Sequence, residues 1–232
     1  MKSLLVQLKW QLQLLNKNSI ITISLVVTLI YGAILYFLKD QKYIDQTLIA
    51  FVLNDPSIIG YFFIALAIYT EMKQGVLQAI FVSPISTHLL LISKTLALSF
   101  IGVVCSLILA FAIKGLDFDI WTYVIGNWGI CILCTLSGLI VLTYADEFLK
   151  FAMLSVLIFT PFVNIPMLHY LGAIDLGYFI YLFPIQGCVE LLDQSVSEQP
   201  ANGWFAYPSS AIWIVIFYIM AYRLFSRKIV HQ

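Results

Sequence analysis

The sequence runs to 232 residues, 62% hydrophobic and only 10% charged, with twelve Lys plus Arg balancing twelve Asp plus Glu. A soluble domain carries about a quarter charged residues, so this chain lacks the polar groups to cover its own surface and belongs in lipid. Zero net charge offers no footprint for nucleic acid, four cysteines in apolar surroundings are too few for a disulfide framework, and the length suits one membrane domain with little left for a soluble catalytic module.

In chain order, residues 1–18 come first as an amphipathic segment. At about 100° per residue, Met1, Leu4, Leu5, Leu8, Leu12 and Leu15 share one arc, with Lys2, Gln7, Lys9, Gln11 and Gln13 elsewhere on the wheel. This predicts a helix lying in the plane of the cytoplasmic membrane surface. No small-residue cleavage site follows the first apolar run, so a removed signal peptide is not expected. Against a ruler of about 20 apolar residues per crossing, five charge-poor runs span: Ser19–Leu38, Leu48–Thr70, Thr95–Ile113, Ile120–Thr143 and Phe151–Tyr170. A sixth, Tyr207–Tyr222, reaches spanning length when extended through Trp204 and Phe205.

The stretch Leu176–Leu192 is long enough to cross but contains Pro184, Gly187 and Glu190. Charge bias decides its side. Six spans with both termini cytoplasmic place Lys2, Lys9, Lys17, Lys73, Lys94, Lys150, Arg223, Arg227 and Lys228 inside, leaving Lys39, Lys42 and Lys114 outside. A seventh crossing would expel Arg223, Arg227 and Lys228, so the stretch is read as re-entrant or interfacial, within an external segment at 171–206. Tyr43, Trp121, Tyr170, Trp204 and Tyr207 then fall near the outer boundary, and Tyr69, Tyr144 and Tyr222 near the inner one. The expected fold is all-α: six transmembrane helices, an N-terminal interfacial helix and an external segment between helices five and six.

Several chemistries have no support. None of the twelve glycines is followed by lysine, so the P-loop pattern is missing. Asp55 and His169 lie toward the outer ends of their spans, a weak basis for ion coupling. Cys131 and Cys134 form a C-x-x-C inside span four without the further ligands of a tetrahedral metal site, and are read as helix packing. The three histidines, His88, His169 and His231, are spread over both sides, which argues against a shared metal or a catalytic triad. No catalytic, cofactor-binding or metal residues are therefore expected.

The most telling segment joins spans two and three at 71–94: Glu71, Gly75-Val76-Leu77-Gln78, Ile80-Phe81, Ser83-Pro84-Ile85-Ser86 and Lys94. It is unusually apolar for a loop at the inner face. Val76, Leu77, Ile80 and Phe81 have helical spacing, Gly75 permits a sharp break and Pro84 stops the short helix. An apolar helix just outside the bilayer either lies on lipid or docks in a partner's groove.

These residues resemble the permease signature of ABC-2 type transporters: a glutamate ending span two, Gly-hydrophobic-Leu-Gln, a small-Pro-Ile-Ser turn and a lysine entering span three. The resemblance extends over the chain in span count and loop lengths, including the N-terminal helix and Phe183-Pro184-Ile185 before the last span. The family more often has Thr in place of Val76 and an acidic residue near Gln78 or Ala79.

The resemblance implies that Glu71, Gly75, Leu77, Gln78, Ser83, Pro84 and Lys94, with Phe81, form a coupling helix region that contacts a separate ATP-binding cassette subunit. ATP and Mg would sit on that partner, with none in this chain. A second permease copy or a related permease would complete the unit, in a bacterial cytoplasmic membrane with both termini cytoplasmic. Spans two and five would line the path and the segment around Tyr178 to Leu192, with Phe183 and Pro184, would form the external gate. Polar or helix-distorting residues within spans supply path candidates: Asn54, Asp55, Thr160, Pro161, Asn164 and Pro166, with Phe62, Phe63, Phe159 and Phe162 as apolar surfaces. Glu71 is expected to pair with Lys73, Lys94 or a basic residue on the ATPase. The implied function is export of an amphipathic small molecule or peptide. The alternatives are the heme-exporter permease of cytochrome c maturation, which shares the architecture, and a membrane assembly factor that transports nothing.

Overall fold

A computed structural model describes residues 2–39, 43–76, 80, 86–197 and 203–227. Among them there is no strand. In chain order the helices are α1 (Lys2–Lys17), α2 (Ile20–Phe37), α3 (Ile44–Lys73), α4 (Thr87–Lys114), α5 (Ile120–Leu142), α6 (Phe148–Phe159), α7 (Ile165–Tyr170), α8 (Gln186–Ser197) and α9 (Gly203–Phe225). A π-helical turn, Thr160–Asn164, joins α6 to α7 into one span, Phe148–Tyr170, and a 3-10 turn covers Gly177–Leu182. Among the described residues, six helices are long and apolar enough to cross a membrane: α2, α3, α4, α5, the α6–α7 span and α9.

Local chemistry sets the breaks. Ser19 adopts a left-handed φ of 60° between α1 and α2, turning the chain from one helix axis to the next. Gly75, φ 69°, does the same after α3, where a side chain would be strained. Ser86 caps α4 by accepting the Leu89 N–H at 3.4 Å. Asp119 caps α5 by accepting the Trp121 N–H at 3.1 Å. The Thr122 hydroxyl and the Trp121 amide together hold the Asp119 carboxyl below the usual carboxylate range.

The spans are not equivalent. In α3, α4 and α5 the most apolar windows are 67, 61 and 72% buried, against 22, 28 and 17% in α2, the α6–α7 span and α9. Three helices therefore form the core and three face outward, the latter exposing residues such as Leu29, Met153, Val156, Leu157, Ile212 and Val215. Apolar contact alone does not hold helices together in lipid, so close approach between small residues matters more. At the α3–α5 crossing a Cβ on Gly60 would lie 2.8 Å from Thr135 Oγ1, and one on Gly138 would lie 2.5 Å from the Tyr61 carbonyl oxygen. The two cysteines of the C-x-x-C are fully buried in the same way, with Cys131 Sγ filling the space above Gly102 of α4.

Between Pro184 and α9 the chain forms α8, which packs on α5 where Gly126 and Gly129 admit Leu191 and Cys188. It is tied to the start of α5 by the Asp119 N–H, which donates to the Ser195 carbonyl at 3.0 Å.

Candidate functional site

At one end of the bundle, Glu71 closes α3 and Lys94 sits near the start of α4. Both are buried, at 0% and 3% exposure, and so is Gln11 of α1 at 2%. The Lys94 ammonium donates to Glu71 Oε1 and, at 3.2 Å, to Gln11 Oε1. Of the two partners within the chain expected for Glu71, it takes Lys94, while Lys73 is exposed. A buried charge is tolerated only when paired and hydrogen-bonded, so the three residues lock α1, α3 and α4 together. Locking is incomplete, because Glu71 Oε2 and the Nε2 atoms of Gln7 and Gln11 have no partner among the described residues.

Gln7 and Gln11 are the residues that wheel reasoning missed. The buried stripe of α1 runs through Gln7, Gln11 and Leu15, rotated by roughly 70° from the centre of the apolar arc. The ammonium of Lys94 is the physical reason, since it needs an acceptor that leucine cannot offer. The available signal was the i, i+4 spacing of two glutamines followed by a leucine. Leu5 and Val6 stay exposed on the other side.

Of the expected coupling residues, Leu77, Gln78, Phe81, Ser83 and Pro84 lie outside the described residues. Gly75 provides the turn after α3, Val76 is half-buried, and Ile80 is buried and joins the hydrophobic core. Beside them a cavity of about 690 Å³ is lined by Leu66, Tyr69, Lys73, Asp146 and Glu147 among others. Its wall is fixed by the Tyr69 hydroxyl, which donates to the Ala145 carbonyl at 2.7 Å.

The path candidates divide into two groups. Phe62 and Phe159 meet, with ring centroids 5.6 Å apart, in a cluster that includes Tyr61 and Phe151. Thr160, Pro161 and Asn164 build the π turn, Pro166 is buried just beyond it, and Asn54 Nδ2 approaches Met167 Sδ at 3.9 Å. Proline supplies no amide donor, which accounts for irregular helix at Thr160–Asn164. Asp55 stands apart from these. It is 2% exposed and accepts the Thr28 hydroxyl at 2.9 Å, fastening α2 to α3. Thr28→Val is expected to lower stability by about 0.6–1.7 kcal/mol, the range of such interhelical bonds in membranes, read from thermal unfolding in detergent. No change would mean that Asp55 is satisfied without Thr28.

At the far end of the bundle, a groove of about 470 Å³ brings Pro161 and Phe162 against Leu182, Phe183 and Pro184. Expected path and gate residues thus share one surface. Tyr178 does not join it and is 91% exposed.

A model of the Fluoroquinolones export permease protein family matches residues 2–232. No curated protein matches the chain.

Proposed function

The chain belongs to that export permease family, and from this premise we propose that it is the ABC-2 type membrane subunit of an ATP-binding cassette exporter. It carries an amphipathic small molecule across a bacterial cytoplasmic membrane, driven by ATP hydrolysed on a separate subunit. The observation that supports this best is the buried Glu71–Lys94–Gln11 junction at the base of α3 and α4. It makes the inner ends of three helices one body, so a push on the coupling region between Gly75 and Ser86 moves them together rather than bending a loop.

In this reading the ATPase engages Leu77, Gln78, Phe81, Ser83 and Pro84, and both termini are cytoplasmic. A second permease covers the exposed face of the α6–α7 span. The path runs along Asn54, Phe62, Phe159 and the π turn toward Phe183 and Pro184, with Asp55 holding its wall. The cargo class in the family's name, the fluoroquinolones, favours a flat aromatic molecule with polar ends, which suits the phenylalanine-lined surface. ATP and Mg belong to the partner.

The test is co-purification with the ATPase. Leu77→Asp combined with Phe81→Asp is expected to abolish a stoichiometric complex while the permease still elutes as a folded species. Retained binding overturns the coupling assignment. Cargo-stimulated ATP hydrolysis in the reconstituted complex then separates an exporter from an assembly factor.

A further inference from the structure

At the end of the bundle opposite Glu71 and Lys94, a cavity of about 430 Å³ opens between the start of α3, the end of α7 and α8. It is lined by Gln46, His169, Tyr170, Gln186, Val189, Glu190, Asp193 and Ser197. Its polar groups are lopsided. The Tyr170 hydroxyl donates to Asp193 Oδ1 at 2.8 Å and the Ser197 hydroxyl to the same oxygen at 2.9 Å. Gln186 Nε2 reaches Glu190 Oε1 at 3.4 Å. These donors are engaged, whereas Glu190 Oε2 and Gln186 Oε1 are buried acceptors with no partner among the described residues, Gln186 being only 9% exposed. Two carboxylates face the space and no lysine or arginine lines it. Lys114, near the start of α3, is held by Asp45 at 2.8 Å.

A cavity that offers unpaired acceptors and net negative charge calls for a ligand that brings donors and positive charge. Two carboxylates on the same wall disfavour an anion. Among the described residues, no three His, Cys, Asp or Glu side chains converge as metal ligands, and the volume falls in the range of sites for drug-sized molecules, about 300–1,000 Å³. We propose that this cavity binds the protonated amine of an organic cation, with Glu190 and Gln186 accepting its N–H groups and Asp193 adding charge. Burial pushes the Glu190 carboxyl above its ordinary range, a penalty that a bound ammonium would relieve. As a release site for exported cargo the assignment rests on the export reading; the binding itself does not.

Dansylcadaverine, a fluorescent primary amine, tests this on the full chain in detergent, with its N-acetyl derivative as the uncharged control. Saturable binding is expected, at least about tenfold tighter for the amine than for the acetylated probe, with a similar loss in Glu190→Gln. Gln46→Lys places a cation at the exposed mouth without disturbing the interior, and is expected to weaken binding several-fold while leaving thermal unfolding unchanged. Equal binding of the two probes, or unaltered affinity in both variants, overturns the site. Displacement of the probe by micromolar calcium overturns it in favour of a metal site. Binding that depends on Glu190 in a chain that exports nothing alongside its ATPase would leave this site standing and remove the export reading. Normal export with Glu190-independent binding would remove only the site.

Discussion

Lys94→Met is expected to lower the stability of the folded chain by roughly 3–5 kcal/mol, the penalty for stranding one member of a buried ion pair. The substitution keeps most of the side-chain volume, so packing changes little. What changes is that Glu71 loses its counter-charge while both its oxygens remain inside the protein, and Gln11 loses the donor that turned it inward. Combining it with Glu71→Gln removes both charges and is expected to recover most of the loss, because a neutral pair of similar shape needs no compensation. Thermal unfolding of the four proteins in detergent, treated as a double-mutant cycle, measures this. Additive losses would show that the pair is not coupled. The double variant also separates stability from function: under the export reading it folds, yet couples ATP hydrolysis to transport less well, since α1, α3 and α4 no longer share a charged joint.

Gly138→Val is the second large effect, expected to destabilise by about 1–3 kcal/mol or more through overpacking. Its first added carbon would lie 2.5 Å from the Tyr61 carbonyl oxygen and 2.9 Å from Ile64 Cγ2. A backbone atom cannot step aside, so α3 and α5 must separate at the centre of the core, and the facing Gly60 contact opens with them. Gly32→Ala is the control. There the added carbon meets only Leu109 at 3.6 Å, an ordinary contact, and the gain in helix propensity of up to about 1 kcal/mol leaves the protein equal or slightly more stable. If both variants unfold at the same temperature as the parent, the crossing is looser than its geometry states.

The six spans were legible because charge-poor runs have few other uses. Their ends were not. By apolar run alone, span two covers Leu48–Thr70 and span three begins at Thr95, where charged and polar residues set the limits. The helices continue to Ile44, Lys73 and Thr87, and charged residues within these extensions or facing them are paired: Asp45 with Lys114, and Glu71 with Lys94. A charge within reach of an opposite charge does not end a helix, but a run of letters does not show which charges will meet. The stretch Leu176–Leu192 was ambiguous for the same reason. Glu190 suggested water and its apolar neighbours suggested lipid, and α8 satisfies both by burying Cys188, Leu191 and Leu192 while Glu190 faces a cavity. Gln11 was hidden most completely, since its role depends on a lysine 83 positions away.

The irregular turn at Thr160–Asn164 carries one residue more than an α-helix would use for the same advance. Were that surplus residue absorbed into regular helix, everything beyond it would swivel by about 100° and slide by about 1.5 Å. Met167 would leave Asn54, and Tyr170 would release Asp193, without any movement of α6. The surplus residue thus sets the register in which the six residues Ile165–Tyr170 meet α3 and α8, independently of how α6 is seated.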